Sequence, residues 1–121
     1  MEIRRFSIDG REIEFVNQSR GTRSGFAHDT TLFIDGCQRA EHTCHYLNRT
    51  WEWYTYQTVM LCAVDDLEDR RTAYLKAEFK RVNGYEKLTA KRKEEFEAVC
   101  KKDAELALYK AIKEDLRSRR F

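Results

Sequence analysis

A chain of 121 residues with 36% charged side chains and a formal net charge of +2 suits one domain with a modest core, and no apolar run approaches the roughly 18 residues a membrane span needs. The start, Met1 to Phe6, lacks the apolar stretch of a secretory leader, so the reading is a cytoplasmic protein with no membrane association and four reduced cysteines. So balanced a charge excludes neither a nucleic-acid nor a protein partner.

Ile3 to Ile8 and Arg11 to Ser19 flank Asp9-Gly10, a two-residue hairpin signal, because such turns need positive φ and glycine adopts it without strain. The second strand sets Ile13 and Phe15 on one face and Glu12 and Glu14 on the other. Gln18 to Gly25 is polar and glycine-bounded, and reads as an exposed loop. From Phe26 to Ile34, residues Phe26, His28, Thr30, Leu32 and Ile34 share one face. Asp35-Gly36 is a second hairpin turn, and the return strand falls within Arg39 to Leu47.

At Asn48 to Leu67 the apolar period changes. Trp53, Tyr56, Met60, Ala63 or Val64, Leu67, Tyr74, Leu75, Phe79 and Val82 follow helical spacing, with a lapse at Arg70-Arg71. Asn48 or Thr50 can cap the start, and Asn83-Gly84 supplies the stop. At 1.5 Å per residue that helix is about 45 to 50 Å long, more than a four-stranded sheet needs, so its second half projects or packs on another helix. The partner is a helix from Thr89 to Arg117, striped by Phe96, Val99, Cys100, Leu106 or Ala107, Ile112 and Leu116. The expected fold is α+β: a four-stranded antiparallel sheet of two hairpins over residues 1–48, then a long antiparallel helical hairpin over 49–121, in a single domain.

Every basic residue before Lys76 is an arginine, whose planar fork suits carboxylates and phosphates. Arg20 and Arg23, on the glycine-flanked loop, Arg39 and Arg49, near the strand ends, and Arg70 and Arg71, on the helix, are the candidate binding residues. Aromatics beside such forks are one way proteins grip phosphates and unstacked bases. Asp65, Asp66, Glu68 and Asp69 form an acidic segment that either stays solvated or mimics phosphates toward a basic groove.

His28, Cys37, His42, Cys44 and His45 put ligand-capable groups near the second hairpin, with His42 and Cys44 on one strand face and His45 on the other. No paired short-spaced ligand motif occurs, and Cys62 and Cys100 read as packing residues on helix stripes, so no metal and no cofactor are expected. No nucleophile elbow, phosphate loop or dinucleotide glycine motif occurs either, which leans against an enzyme. The enzymatic alternative is a metal-independent ribonuclease acting on a structured RNA through His28, His45, Arg49 and Tyr54.

Ser24 to Gly36 (SGFAHDTTLFIDG) and Cys44 to Met60 (CHYLNRTWEWYTYQTVM) resemble small proteins carried by plasmids, phages and integrative elements of Gram-positive bacteria, over roughly residues 22 to 67. That cargo class includes anti-CRISPR inhibitors of type II effector nucleases. The resemblance implies an inhibitor that binds a nucleic-acid-processing complex, an RNA-guided nuclease or its guide RNA, and it brings no catalytic residues with it. A third alternative is a structural homodimer through the helical hairpin, burying Leu75, Phe79, Phe96 and Leu106.

Overall fold

A computed structural model describes residues 1–46, 52–84 and 89–118. The fold is α+β. Strands β1 (Glu2–Ile8), β2 (Arg11–Thr22), β3 (Gly25–Ile34) and β4 (Cys37–Tyr46) form an antiparallel meander in the order β1-β2-β3-β4. Helices α1 (Glu52–Asn83), α2 (Ala90–Lys102) and α3 (Ala104–Ser118) follow. The proposed caps at Asn48 and Thr50 fall outside the described residues.

Both Asp-Gly turns form as expected, with positive φ at Asp9 (49°), Gly10 (79°), Asp35 (52°) and Gly36 (79°), the mirror-image turn that matches strand twist. Asp35 also braces its turn from outside. It accepts hydrogen bonds from the backbone N–H of Glu12, at 2.9 Å, and from the guanidinium of Arg11.

The expected loop from Gln18 to Gly25 is instead strand. Arg20 pairs with Ala27, Gly21 with Phe26 and Thr22 with Gly25, leaving only Arg23 and Ser24 in the turn. Polar composition hides this strand because Ser19 turns inward and is hydrogen-bonded there to His28 and Tyr56. Asn17 is fully buried and accepts from the Thr30 hydroxyl at 2.7 Å, while its amide donates to Met60 Sδ at 3.5 Å. Removing one partner of a buried pair strands the other, so Asn17→Ala should lower the unfolding free energy by about 2 kcal/mol. Urea denaturation of that variant against Thr30→Val, which deletes the complementary hydroxyl, measures both sides of the pair.

One sheet face presents Phe6, Ile13, Phe15, Leu32, Ile34 and Ala40 to Tyr56, Met60, Ala63, Val64 and Leu67 of α1 and to Tyr109, Ile112 and Leu116 of α3. These residues recur at period two along the strands and at three to four along the helices, so one buried surface satisfies both patterns. The other sheet face is crossed by polar pairs: Arg5 with Glu14, Ser7 with Glu12, and Asp29 with Arg20 and Thr43.

The second helical arm departs from expectation. The continuous helix from Thr89 to Arg117 is broken at Asp103, whose backbone is extended (φ −73°, ψ 122°). Its carboxylate accepts from the Leu106 N–H at 3.1 Å, capping α3. The same carboxylate takes both branches of the Arg71 guanidinium, at 2.8 and 3.1 Å. The lapse in the α1 stripe at Arg70-Arg71 and the break in the second arm therefore meet as one ion pair.

Beyond Leu67, α1 contributes no buried residue among those described, and α2 has none, although Phe79 and Phe96 touch edge to face at 5.7 Å. Tyr74, Val82 and Val99, expected on apolar stripes, are 55%, 72% and 41% exposed. Gly84, at φ 99°, ends α1 where the sequence sets its stop.

Candidate functional site

β4 is an edge strand, and a bulge there re-aims one of the candidate arginines. Ala40 pairs with Leu32 but Gln38 pairs with Phe33, so Arg39 is the extra residue. Its guanidinium reaches the α3 side, donating to the Tyr109 hydroxyl at 3.1 Å and lying 4.0 Å from Glu105. With Arg70 of α1 it lines an open cleft of about 300 Å3, completed by Gln38, Ala40 and Glu41. Two of the candidate arginines, 31 positions apart in sequence, thus share one surface.

The other arginines are placed differently. Arg20 is exposed on the outer sheet face and pairs with Asp29 at 3.1 Å. Burial pushes the Asp29 carboxyl up, but hydrogen bonds from Thr43 and Arg20, with the charges of Arg20 and His45, hold it below its ordinary value. Arg23 is exposed in the β2–β3 turn. Arg71 is committed to Asp103, with Glu105 3.6 Å away, and this pairing drives its guanidinium pKa upward. It holds helices together rather than offering a free fork. Arg49 lies outside the described residues.

His28 and His45 do not meet. His28 pairs directly across from Cys44 on the inner face, so His45, the next residue along β4, points to the outer one. His28 is 2% exposed and its Nδ1 bonds the Ser19 hydroxyl at 2.7 Å; that hydroxyl bonds the Tyr56 hydroxyl at 2.8 Å. Tyr56 also lies edge-on to the imidazole, with ring centres 6.1 Å apart. The buried, hydrogen-bonded reading of His28 holds. Arg49 and the side chain of Tyr54, the other members of the ribonuclease set, fall outside the described residues.

A second cluster forms where β4 faces α1. His42 and Cys44 share the inner face, and Cys62 of α1 lies against them. One ring nitrogen of His42 and the two Sγ atoms are all within 4.8 Å of one another. All three residues are partly buried. Asp66, one helical turn beyond Cys62, accepts a hydrogen bond from His42 Nδ1 at 2.9 Å. Burial pushes the Cys62 thiol above its ordinary pKa, and Cys44, Asp65 and Asp66 act in the same direction. Cys62, read from sequence as a packing residue, is thus a neighbour of two other ligand-capable groups. The findable signal was the four-residue spacing of Cys62 and Asp66, which turns both toward the His42–Cys44 face.

The acidic segment of α1 is largely spent inside the chain. Lys113 of α3 bridges Asp65 and Glu68 at 2.8 Å each, and Asp66 holds His42. Few of these carboxylates remain to imitate phosphates. Comparison of the chain with family models, with curated proteins and with solved structures gives no match.

Proposed function

We propose that this chain is a small binding protein of a mobile genetic element that inhibits a nucleic-acid-processing complex, with a type II effector nuclease or its guide RNA as its target. The observation that carries the reading is the pairing of Arg39 and Arg70 in one open cleft at the β4 edge. Arg70 offers an exposed fork that matches carboxylate or phosphate bidentately, and Arg39, which donates to the Tyr109 hydroxyl, adds its positive charge at the same rim.

The helical arm supports the same reading. Residues 72–84 and 89–102 carry eight Lys or Arg against four Glu, and two of those glutamates are paired locally, Glu78 with Arg81 and Glu95 with Arg92. A basic arm beside an arginine cleft steers association with a negative partner and makes it salt-sensitive.

Inhibition of DNA cleavage by a guide-loaded effector tests this. Arg70→Glu, at an exposed position, should raise the half-inhibitory concentration at least tenfold, equivalent to about 1.4 kcal/mol of binding energy. Its circular dichroism should match that of the parent chain. Undiminished inhibition by the folded variant would remove the cleft from the contact surface.

A further inference from the structure

We propose that His42, Cys44 and Cys62 form a binding site for Zn2+, with Asp66 positioning the histidine. The site joins two elements: His42 and Cys44 alternate along β4 and so share its inner face, and Cys62 comes from α1 packed over that face. A tetrahedral zinc with bonds of about 2.3 Å to sulfur and 2.0–2.1 Å to nitrogen sets its ligand atoms roughly 3.5–3.8 Å apart. Three atoms already within 4.8 Å of one another need only small rotations to close on an ion.

Two features beyond proximity point to a metal. The first is the donor set. Two thiols and an imidazole are the ligands that favour Zn2+ over Mg2+ or Ca2+, which want oxygen. The second is the histidine's outer partner. An ionised carboxylate only accepts, so the contact with Asp66 calls for a proton on His42 Nδ1, and in the neutral imidazole that tautomer presents Nε2 as the ligand atom the proposed site uses. This is how a carboxylate fixes the tautomer and orientation of a zinc-ligating histidine. Three protein ligands leave the fourth tetrahedral position for water, and the bound ion would tie α1 to β4.

Titration of the reduced full-length chain with Zn2+ against a chromophoric chelator, and with Co2+ as a spectroscopic stand-in, tests the site. Saturation at one equivalent is expected, with a thiolate-to-cobalt charge-transfer band and intensities of a tetrahedral ion. Cys44→Ser and Cys62→Ser should each weaken binding at least tenfold and diminish the band. Cys37→Ser and Cys100→Ser, at positions outside the cluster, should bind as the parent does. Asp66→Asn should weaken binding on the order of tenfold while the thiolate band persists. No saturable binding by the parent chain would overturn the proposal whether or not the variants fold. So would one-equivalent binding without the charge-transfer band, or binding that survives loss of both Cys44 and Cys62.

Discussion

Phe15→Ala is expected to lower the unfolding free energy by about 4 kcal/mol, the cost typical of truncating a fully buried aromatic. Phe15 sits at the middle of β2 with no exposed surface, paired across the strands with Arg4 and Leu32, and its ring stacks on Phe6 at 6.2 Å. It belongs to the cluster that joins the sheet to α1 and α3. Truncation forfeits the transfer energy of the ring and leaves a cavity that strands on both sides cannot collapse to fill. Set against the 5–15 kcal/mol that ordinarily holds a domain together, the loss is a large share of the total. Urea denaturation should show a lower midpoint with a similar slope, and Phe15→Leu should recover most of the loss. A cost under 1 kcal/mol for the alanine variant would contradict the described sheet–helix core.

The second large effect belongs to Asp103, a polar residue that does two jobs. Asp103→Ala should cost about 3 kcal/mol, combining an N-cap worth about 1 kcal/mol with a two-branched, charge-assisted contact worth about 2 kcal/mol. Its side chain is only 11% exposed and that of Arg71 26%, so water screens the pair less than it screens the surface arginine contacts. Asp103→Asn separates the two jobs, since asparagine caps as well as aspartate but carries no charge. The asparagine variant should therefore lose only the ion-pair share, softened by Glu105, which lies 3.6 Å from Arg71.

The pH dependence follows in sign. Hydrogen bonds from Arg71, opposed by burial and aided by the Leu106 N–H, hold the Asp103 carboxyl below its ordinary value of 3.8. The native state thus binds the proton less readily than the unfolded chain does. The stabilisation is fully present above about pH 5 and fades as pH falls through 3.8 toward the lowered native value. The stability gap between parent and Asp103→Asn should close over that acid window. A gap that stayed constant down to pH 2 would mean that the charge contributes nothing.

How legible these features are depends on whether a residue's partner is local. Both Asp-Gly turns can be read directly, because positive φ at two successive positions is a local requirement with few residue solutions. The inner face of β3 and the first half of α1 are equally plain, since period two and period 3.6 mark the surfaces that bury each other. The β2–β3 extension is not legible: Ser19 looks like a loop residue until His28 and Tyr56 are seen to satisfy it. The break at Asp103 is hidden for the same reason. A single aspartate within a strongly helical run marks the break where it both caps α3 and pairs with Arg71, 32 positions away.

Tyr109 is missed because its hydroxyl hides a core position, and it becomes one when Arg39 and Glu105 take that hydroxyl. Of the candidate binding set, exposure at Arg20, Arg23 and Arg70 is local and readable, whereas the commitment of Arg71 and the bulge at Arg39 are tertiary facts. The apolar residues named for a homodimer are partly engaged within the chain: Phe79 meets Phe96, and Leu106 packs against the core.

The most direct test of the proposed inhibition is incubation of the purified chain with labelled guide RNA, with and without its effector nuclease, reading RNA integrity, complex assembly and DNA cutting in the same samples. The account predicts intact RNA in every sample and blocked assembly or blocked DNA cutting when the nuclease is present. RNA cut in the absence of the nuclease, or full assembly and DNA cutting in the presence of excess chain, would contradict it.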